Sequence, residues 1–309
     1  MHSIMRKLLV GSVVAVLVGV ILGADAPTSE PTTGATTGPA TTRAAGTGRT
    51  PWPSTALITA TPEELAQVKA IDPPEKDFFA KRLDYEGIPI KAAAVVSDVA
   101  LVEAKRRISS ELQNCPKARA AMAKAGCELH IIGKDQVPSD LPELRRYKDK
   151  PWDGGPQNVD QRTRGVGGRL TSCGEENLLH LPKDRYQGRD ICIHEFAHCI
   201  RSYGQSPEVR RMFDDQLKAS LDKGRWVNAY AATNTQEYFA ELTMWYFGTH
   251  GDMHMRGEKP AFGREGLKKY DPEAYDLIDR FYSGKLDDVG VIGARSTTRP
   301  QATEDDDDA

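Results

Sequence analysis

Between residues 55 and 293 the chain alternates apolar runs of helical or strand-like spacing with short polar breaks, which predicts one folded region. Thr61-Pro62-Glu63-Glu64 opens a helix. Ile88 to Val96, rich in β-branched and small residues, predicts a strand. Val99 to Leu112 predicts a helix with Ser97 or Asp98 as cap. Pro116 to Lys124 predicts a second helix, stopped by Gly126, and Glu128 to Ile132 a strand. Gly167 to Leu181 holds a strand or hairpin ending in Asn177-Leu178-Leu179-His180-Leu181. Ile191, Ile193, Phe196, Ala197 and Ile200 give the apolar set of a helix that runs from Asp190 to Tyr203, with Gly204 as a left-handed cap. Ser206-Pro207-Glu208 starts the next helix, Asn234 opens one that reaches about Phe247, and Asp271-Pro272-Glu273 caps a last one closed by Gly284. A mixed layer of strands and helices followed by a mainly helical C-terminal half is an α+β arrangement.

The pattern changes at both ends. Arg6-Lys7, the apolar run Leu8 to Leu22 and the small residues of Gly23-Ala24-Asp25-Ala26 predict a signal peptide over residues 1–24. The run is short for a membrane span, so no stable insertion is expected after cleavage; an uncleaved N-terminal anchor is the alternative. Residues 25–54, dominated by Thr, Pro, Gly and Ala, cannot bury enough surface to fold and read as a flexible linker. Residues 294–309 close on Asp305 to Asp308 and read as a solvated acidic tail. A secreted or periplasmic protein is expected. The formal net charge of −3 implies no general attraction to nucleic acid. Five cysteines suit an exported chain but not a full disulfide scaffold. Cys192 and Cys199, seven apart on one helix, are about 10 Å apart and cannot bridge each other. A Cys173–Cys192 bond would tie the preceding strand to that helix.

That helix carries the chemistry. His194-Glu195-Phe196-Ala197-His198 reads H-E-x-x-H. Four residues apart on a helix, both imidazoles share one face and can hold a zinc ion, and the Glu195 carboxylate can reach a water on the metal. Zinc-assisted hydrolysis needs a third protein ligand. Arg201 and Gly204 occupy the positions where a metzincin would carry glycine and histidine, which excludes that class. His250 and His254 stand in a Gly/Met/His-rich stretch and are one source. Glu237, in Asn234-Thr235-Gln236-Glu237-Tyr238-Phe239-Ala240-Glu241, is the better one: Glu237 and Glu241 share a helix face, so one carboxylate can ligate while the other orients a histidine. Against this stands a capping box, with Asn234 as N-cap and Glu237 reaching back to the backbone. The glycines of Gly165-Val166-Gly167-Gly168 do not form a phosphate loop, because no lysine follows and no helix opens there.

H-E-F-A-H followed about forty residues later by Y-x6-E-x3-E resembles the catalytic domain of the anthrax lethal factor and its relatives, gluzincin zinc metallopeptidases, and a broader secreted lethal-factor-like group. The resemblance spans roughly Asp160 to Gly248; before that it is to the secreted group alone. It implies a zincin-like metallopeptidase domain with an edge strand beside the H-E-x-x-H helix, Zn²⁺ held by His194, His198 and Glu237, Glu195 as general base, and Glu241 behind the ligands. It also implies that Tyr230, seven residues before Glu237, stabilises the oxyanion; by itself a tyrosine near a helix start is as readily a packed core residue. The expected activity is that of a zinc metalloendopeptidase acting on protein or peptide. The competing classes are a non-catalytic zincin-fold binding module and a zinc hydrolase of a cell-wall amide.

Overall fold

The computed structural model describes residues 58–290, apart from 153, 187, 250–254 and 256–259. The signal segment, the linker, the acidic tail and the alternative ligands His250 and His254 lie outside the described residues. Among the described residues no helix is long and apolar enough to cross a membrane.

A short helix α1 (Pro62–Leu65) is fixed by the capping box of Thr61 and Glu64. Three antiparallel strands follow, β1 (Lys69–Glu75), β2 (Phe79–Tyr85) and β3 (Ile88–Ala92). The chain then forms α2 (Asp98–Leu112), capped by Ser97, and α3 (Pro116–Lys124), and returns as β4 (Glu128–Ile132) parallel to β3. After α4 (Val159–Arg162), β5 (Leu170–Gly174) pairs in parallel with β4 and completes a mixed five-stranded sheet in the order β1-β2-β3-β4-β5. Ile88, Ile90 and Ala92 with Leu129 and Ile131 enter a core shared with α2, α3 and the later helices. On the other face Ile132 joins a smaller cluster with Leu141, Leu144 and Val159, where His130 is buried between Glu128 and Glu143.

Next come α5 (Glu175–Leu178), α6 (Ile191–Cys199) with a π turn over Ile200–Gly204, α7 (Pro207–Asp222), α8 (Thr235–Tyr246), α9 (Gly263–Tyr270) and α10 (Pro272–Tyr282). The fold is therefore α+β, with a small mixed sheet, the H-E-x-x-H helix α6 against the edge strand β5, and a helical C-terminal half.

Three local expectations are corrected. Asn177 to Leu181 is not strand. The side chains before it are claimed by distant backbone: Glu175 accepts from the Ser97 and Lys134 amides, both at 2.8 Å, and Asn177 accepts from Ile191 N at 2.9 Å. These bonds turn the chain into α5. Gly204 is not left-handed. The helix ends in a π turn in which Gln205 N donates to Ile200 O at 2.9 Å, and Gly204 instead lets α3 approach, a Cβ there falling 3.1 Å from Met122 Sδ. All five cysteines are buried free thiols, so the Cys173–Cys192 bond is not formed; those two thiols are close neighbours, as are Cys127 and Cys199.

Candidate metal centre

The start of α6 is tied down on three sides. Asp190 caps it by accepting from Ile193 N at 3.1 Å and pairs with Arg107 of α2, while Asn177 holds Ile191 N. Cys192, Phe196, Ala197 and Cys199 turn into the core, which leaves His194, Glu195 and His198 on the opposite side. The two imidazole centroids are 5.0 Å apart. At the far end Arg201, buried, pairs with Asp214 of α7 and donates to Thr235 Oγ1 at 3.0 Å, so the last turn of the metal helix fixes the first residue of α8.

That docking delivers the carboxylates. Asn234 caps α8 unaided, accepting from Gln236 N and Glu237 N, both at 2.9 Å. The Glu237 carboxylate points instead at the histidines, its Oε2 at 3.2 Å from His194 Nε2 and 3.6 Å from His198 Nε2. That oxygen is buried and has no aligned hydrogen-bond donor. Tetrahedral zinc with bonds of about 2.0–2.1 Å places its donors roughly 3.3–3.4 Å apart, so the Glu237 oxygen stands from each imidazole nitrogen about as far as such an ion requires. Glu195 clusters with the two histidines, an oxygen lying within 4.8 Å of a nitrogen of each ring; Glu237 falls outside that set of three and approaches the rings from α8. The greater reach of Glu195 suits a group beside the ion, and the closer Glu237 suits a ligand. One turn along α8, Glu241 is fully buried, with Oε1 at 3.2 Å from His194 Nδ1 and in contact with Arg189. Gln236 lines the same cleft as His198.

Charge in the site follows from this crowding. Burial works against a charged His194, but the facing carboxylates of Glu237 and Glu241 raise its pKa to about 10. Burial alone would raise Glu237; His194 draws it down to about 2. Burial, then the charge on His194, lowers His198 to about 4. Burial also raises Glu195 to about 7, in the range a general base needs near neutral pH. A proton on His194 therefore does the neutralising work that a divalent cation would do in its place. Tyr230 lies on a 3₁₀ turn over Tyr230–Ala232, its ring 6.5 Å from that of His194 at an interplanar angle of 28°. Burial pushes its phenol well above the usual range, so the hydroxyl stays protonated, and it hydrogen-bonds Glu237.

A cleft of about 370 Å³ opens over these groups. The glycine run forms one wall. Val166 bridges Ser172 of β5 in antiparallel fashion, with N···O distances of 3.1 and 2.9 Å, so it covers part of the sheet edge. Gly165 and Gly167 lie directly on α6: a Cβ at Gly165 would fall 2.8 Å from Glu195 Cγ, and one at Gly167 2.7 Å from His198 Cβ and Cδ2. The Gly167 backbone works against burial at the Glu195 carboxylate, though burial prevails. All six residues expected at the site converge here. Sequence reasoning missed Arg189, Gln236, Arg201 and the purpose of Gly165 and Gly167. The unexplained glycines ahead of β5 were the one available signal.

No protein-family model and no curated protein matches the chain. Among solved structures, the PRO-PRO endopeptidase PPEP-2 from Paenibacillus alvei is similar over 60% of this chain and 91% of its own, at 18% identity and a TM-score of 0.39. A likeness of that size leaves the function to be read from this chain's own residues.

Proposed function

We propose that this chain is an exported zinc-dependent endopeptidase. The observation that carries the reading is the approach of Glu237 Oε2 to both His194 Nε2 and His198 Nε2 at separations suited to zinc, with Glu195 beside the two rings and a cleft above. The resemblance of its two motifs to lethal-factor-like gluzincins supports it, and the apolar run Leu8 to Leu22 supports export. Zinc, when bound, supplies Lewis-acid polarisation and makes water a better nucleophile at neutral pH. Glu195 takes the proton of the attacking water and returns it to the leaving amine. Glu241, clamped by Arg189, holds His194 in the tautomer that offers Nε2 to the ion. Tyr230 donates to the carbonyl oxygen as negative charge grows on it, worth about 3 kcal/mol in a water-poor site. The test is direct. Purified protein should hold one zinc per chain and cut unstructured casein, and a chelator should abolish cleavage. Glu195→Gln should keep zinc and lose at least about a thousandfold in rate. A zinc-loaded protein inert toward casein, or an active Glu195→Gln variant, overturns the reading.

A further inference from the structure

The cleft has a second wall whose chemistry the metal centre does not use. Arg162 is the last residue of α4, a turn fixed by the reciprocal bonds of Asn158 and Gln161 at 3.0 and 3.2 Å. Its side chain is exposed and lines the cleft together with Trp152 and Tyr230. Its positive charge is felt at the Tyr230 phenol, which places it on the Tyr230 side of the ion site. The neighbouring cations are engaged. Arg189 contacts Glu241, Arg164 grips Glu176 through two bonds of 2.7 Å, and Arg185 reaches Gln161 O at 3.3 Å. Among the described residues the Arg162 guanidinium has no ion pair and no hydrogen bond. Trp152, braced edge-on by Tyr147 at 4.8 Å, sets an apolar surface in the same cleft.

We propose that Arg162 is a specificity-determining residue that recognises a carboxylate of the substrate, within about three residues of the scissile bond on the Tyr230 side; this rests on the peptidase reading of the site. A planar guanidinium matches a carboxylate with two parallel N–H bonds, and such charge-assisted pairs are roughly twice as strong as neutral ones. Here the guanidinium has no partner among the described residues to surrender. The carboxylate can come from an Asp or Glu side chain or from a free C-terminus.

The experiment uses the full chain loaded with zinc, and peptides built around a bond that it cuts in casein. At each of the three positions on either side the peptides carry Asp, Asn or Lys, and each is made with a free or an amidated C-terminus. Cleavage by wild type and equilibrium binding to the Glu195→Gln protein, by fluorescence anisotropy, are both read. Where casein is not cut, hexa-alanine peptides with the same single substitutions serve for binding. A carboxylate at the favoured position should raise kcat/KM and tighten binding about ten- to a hundredfold over its Asn or amidated counterpart. Arg162→Ala should remove that preference, Arg162→Lys weaken it and Arg162→Glu turn it toward Lys. Arg169→Ala, an exposed arginine away from the cleft, should keep it. Preference for the free over the amidated terminus identifies the C-terminal source, and preference for internal Asp the side-chain source; both support the inference. A protein that binds acidic peptides through Arg162 but cuts none would overturn the peptidase reading and leave Arg162's role standing. No carboxylate preference in wild type, or one undiminished in folded, zinc-loaded Arg162→Ala, overturns the inference.

Discussion

Glu237 and Glu241 touch opposite nitrogens of one imidazole at the same distance, and replacing each by alanine separates a ligand from a supporting group. Glu237 Oε2 stands 3.2 Å from His194 Nε2, and Glu241 Oε1 stands 3.2 Å from His194 Nδ1. Protein zinc sites of high affinity are worth about 10–16 kcal/mol, which shared among three protein donors gives roughly 3–5 kcal/mol each. At about 1.4 kcal/mol per decade, Glu237→Ala should weaken zinc binding by roughly three orders of magnitude. Glu241→Ala leaves all three donors in place and frees His194 to rotate, which costs about 10–100-fold. Because Asn234 caps α8 without help, Glu237→Ala removes no helix cap; in the metal-free protein it removes one of the two carboxylates facing the His194 proton, so the melting temperature should fall at neutral pH. His250→Ala and His254→Ala should leave zinc affinity unchanged. Competition against a fluorescent chelator gives the four affinities, and thermal melting of the metal-free proteins gives the stabilities. A larger loss in Glu241→Ala than in Glu237→Ala, or full affinity in Glu237→Ala with metal lost in a histidine variant, would refute the ligand set.

Two further outcomes concern residues outside the proposed ligands. Glu111 of α2 is fully buried, both its oxygens lack a hydrogen-bond partner, and burial holds its carboxyl well above the usual range. The folded state thus keeps a proton that the unfolded chain releases, so the stability from this group is full below about pH 4.5 and is lost as pH rises. Glu111→Gln should flatten that dependence and raise the melting temperature at pH 8 by roughly 2–8 °C, for about 1–2 kcal/mol; a variant less stable than wild type at pH 8 would contradict this. Gly167→Ala drives a methyl into His198, and the strain of about 1–3 kcal/mol should appear as a lower melting temperature and zinc binding weaker by roughly five- to hundredfold. Unchanged zinc affinity in that variant, read by the same chelator competition, would show that the wall does not set the ring position.

Elements whose ends are written in nearby residues were legible. Ser97, Pro116, Ser206, Asn234 and Asp271 all begin helices where their cap chemistry predicts. The β1–β2 hairpin was not. β1 carries Pro73 and Pro74 and is largely exposed, and its turn places Lys76 and Asp77 at positive φ where glycine or asparagine would have announced it. α5 was hidden for another reason: its polar side chains bind backbone from β3–α2, β4 and α6, partners no local window contains. The H-E-x-x-H residues were plain because one helix supplies their spacing. The convergence of Glu237 on them depends on Arg201 joining α6 to α8, and Arg201 had registered only as a mismatch to another class.

The two histidines belong to a helix seated on the sheet, and the carboxylates facing them belong to the helical half. Neither half owns enough donors to retain an ion alone. An ion held by this set would make metal affinity and the docking of the two layers one equilibrium seen from two sides, and whatever loosens the contact of α6 with α8 should also release it. By the same linkage, free zinc at a hundred times its Kd would add about 2.7 kcal/mol to the stability of the assembled fold. Scavenging that zinc would leave a His194 proton as the bridge between layers, so the metal-free protein should come apart most readily where alkali removes the proton.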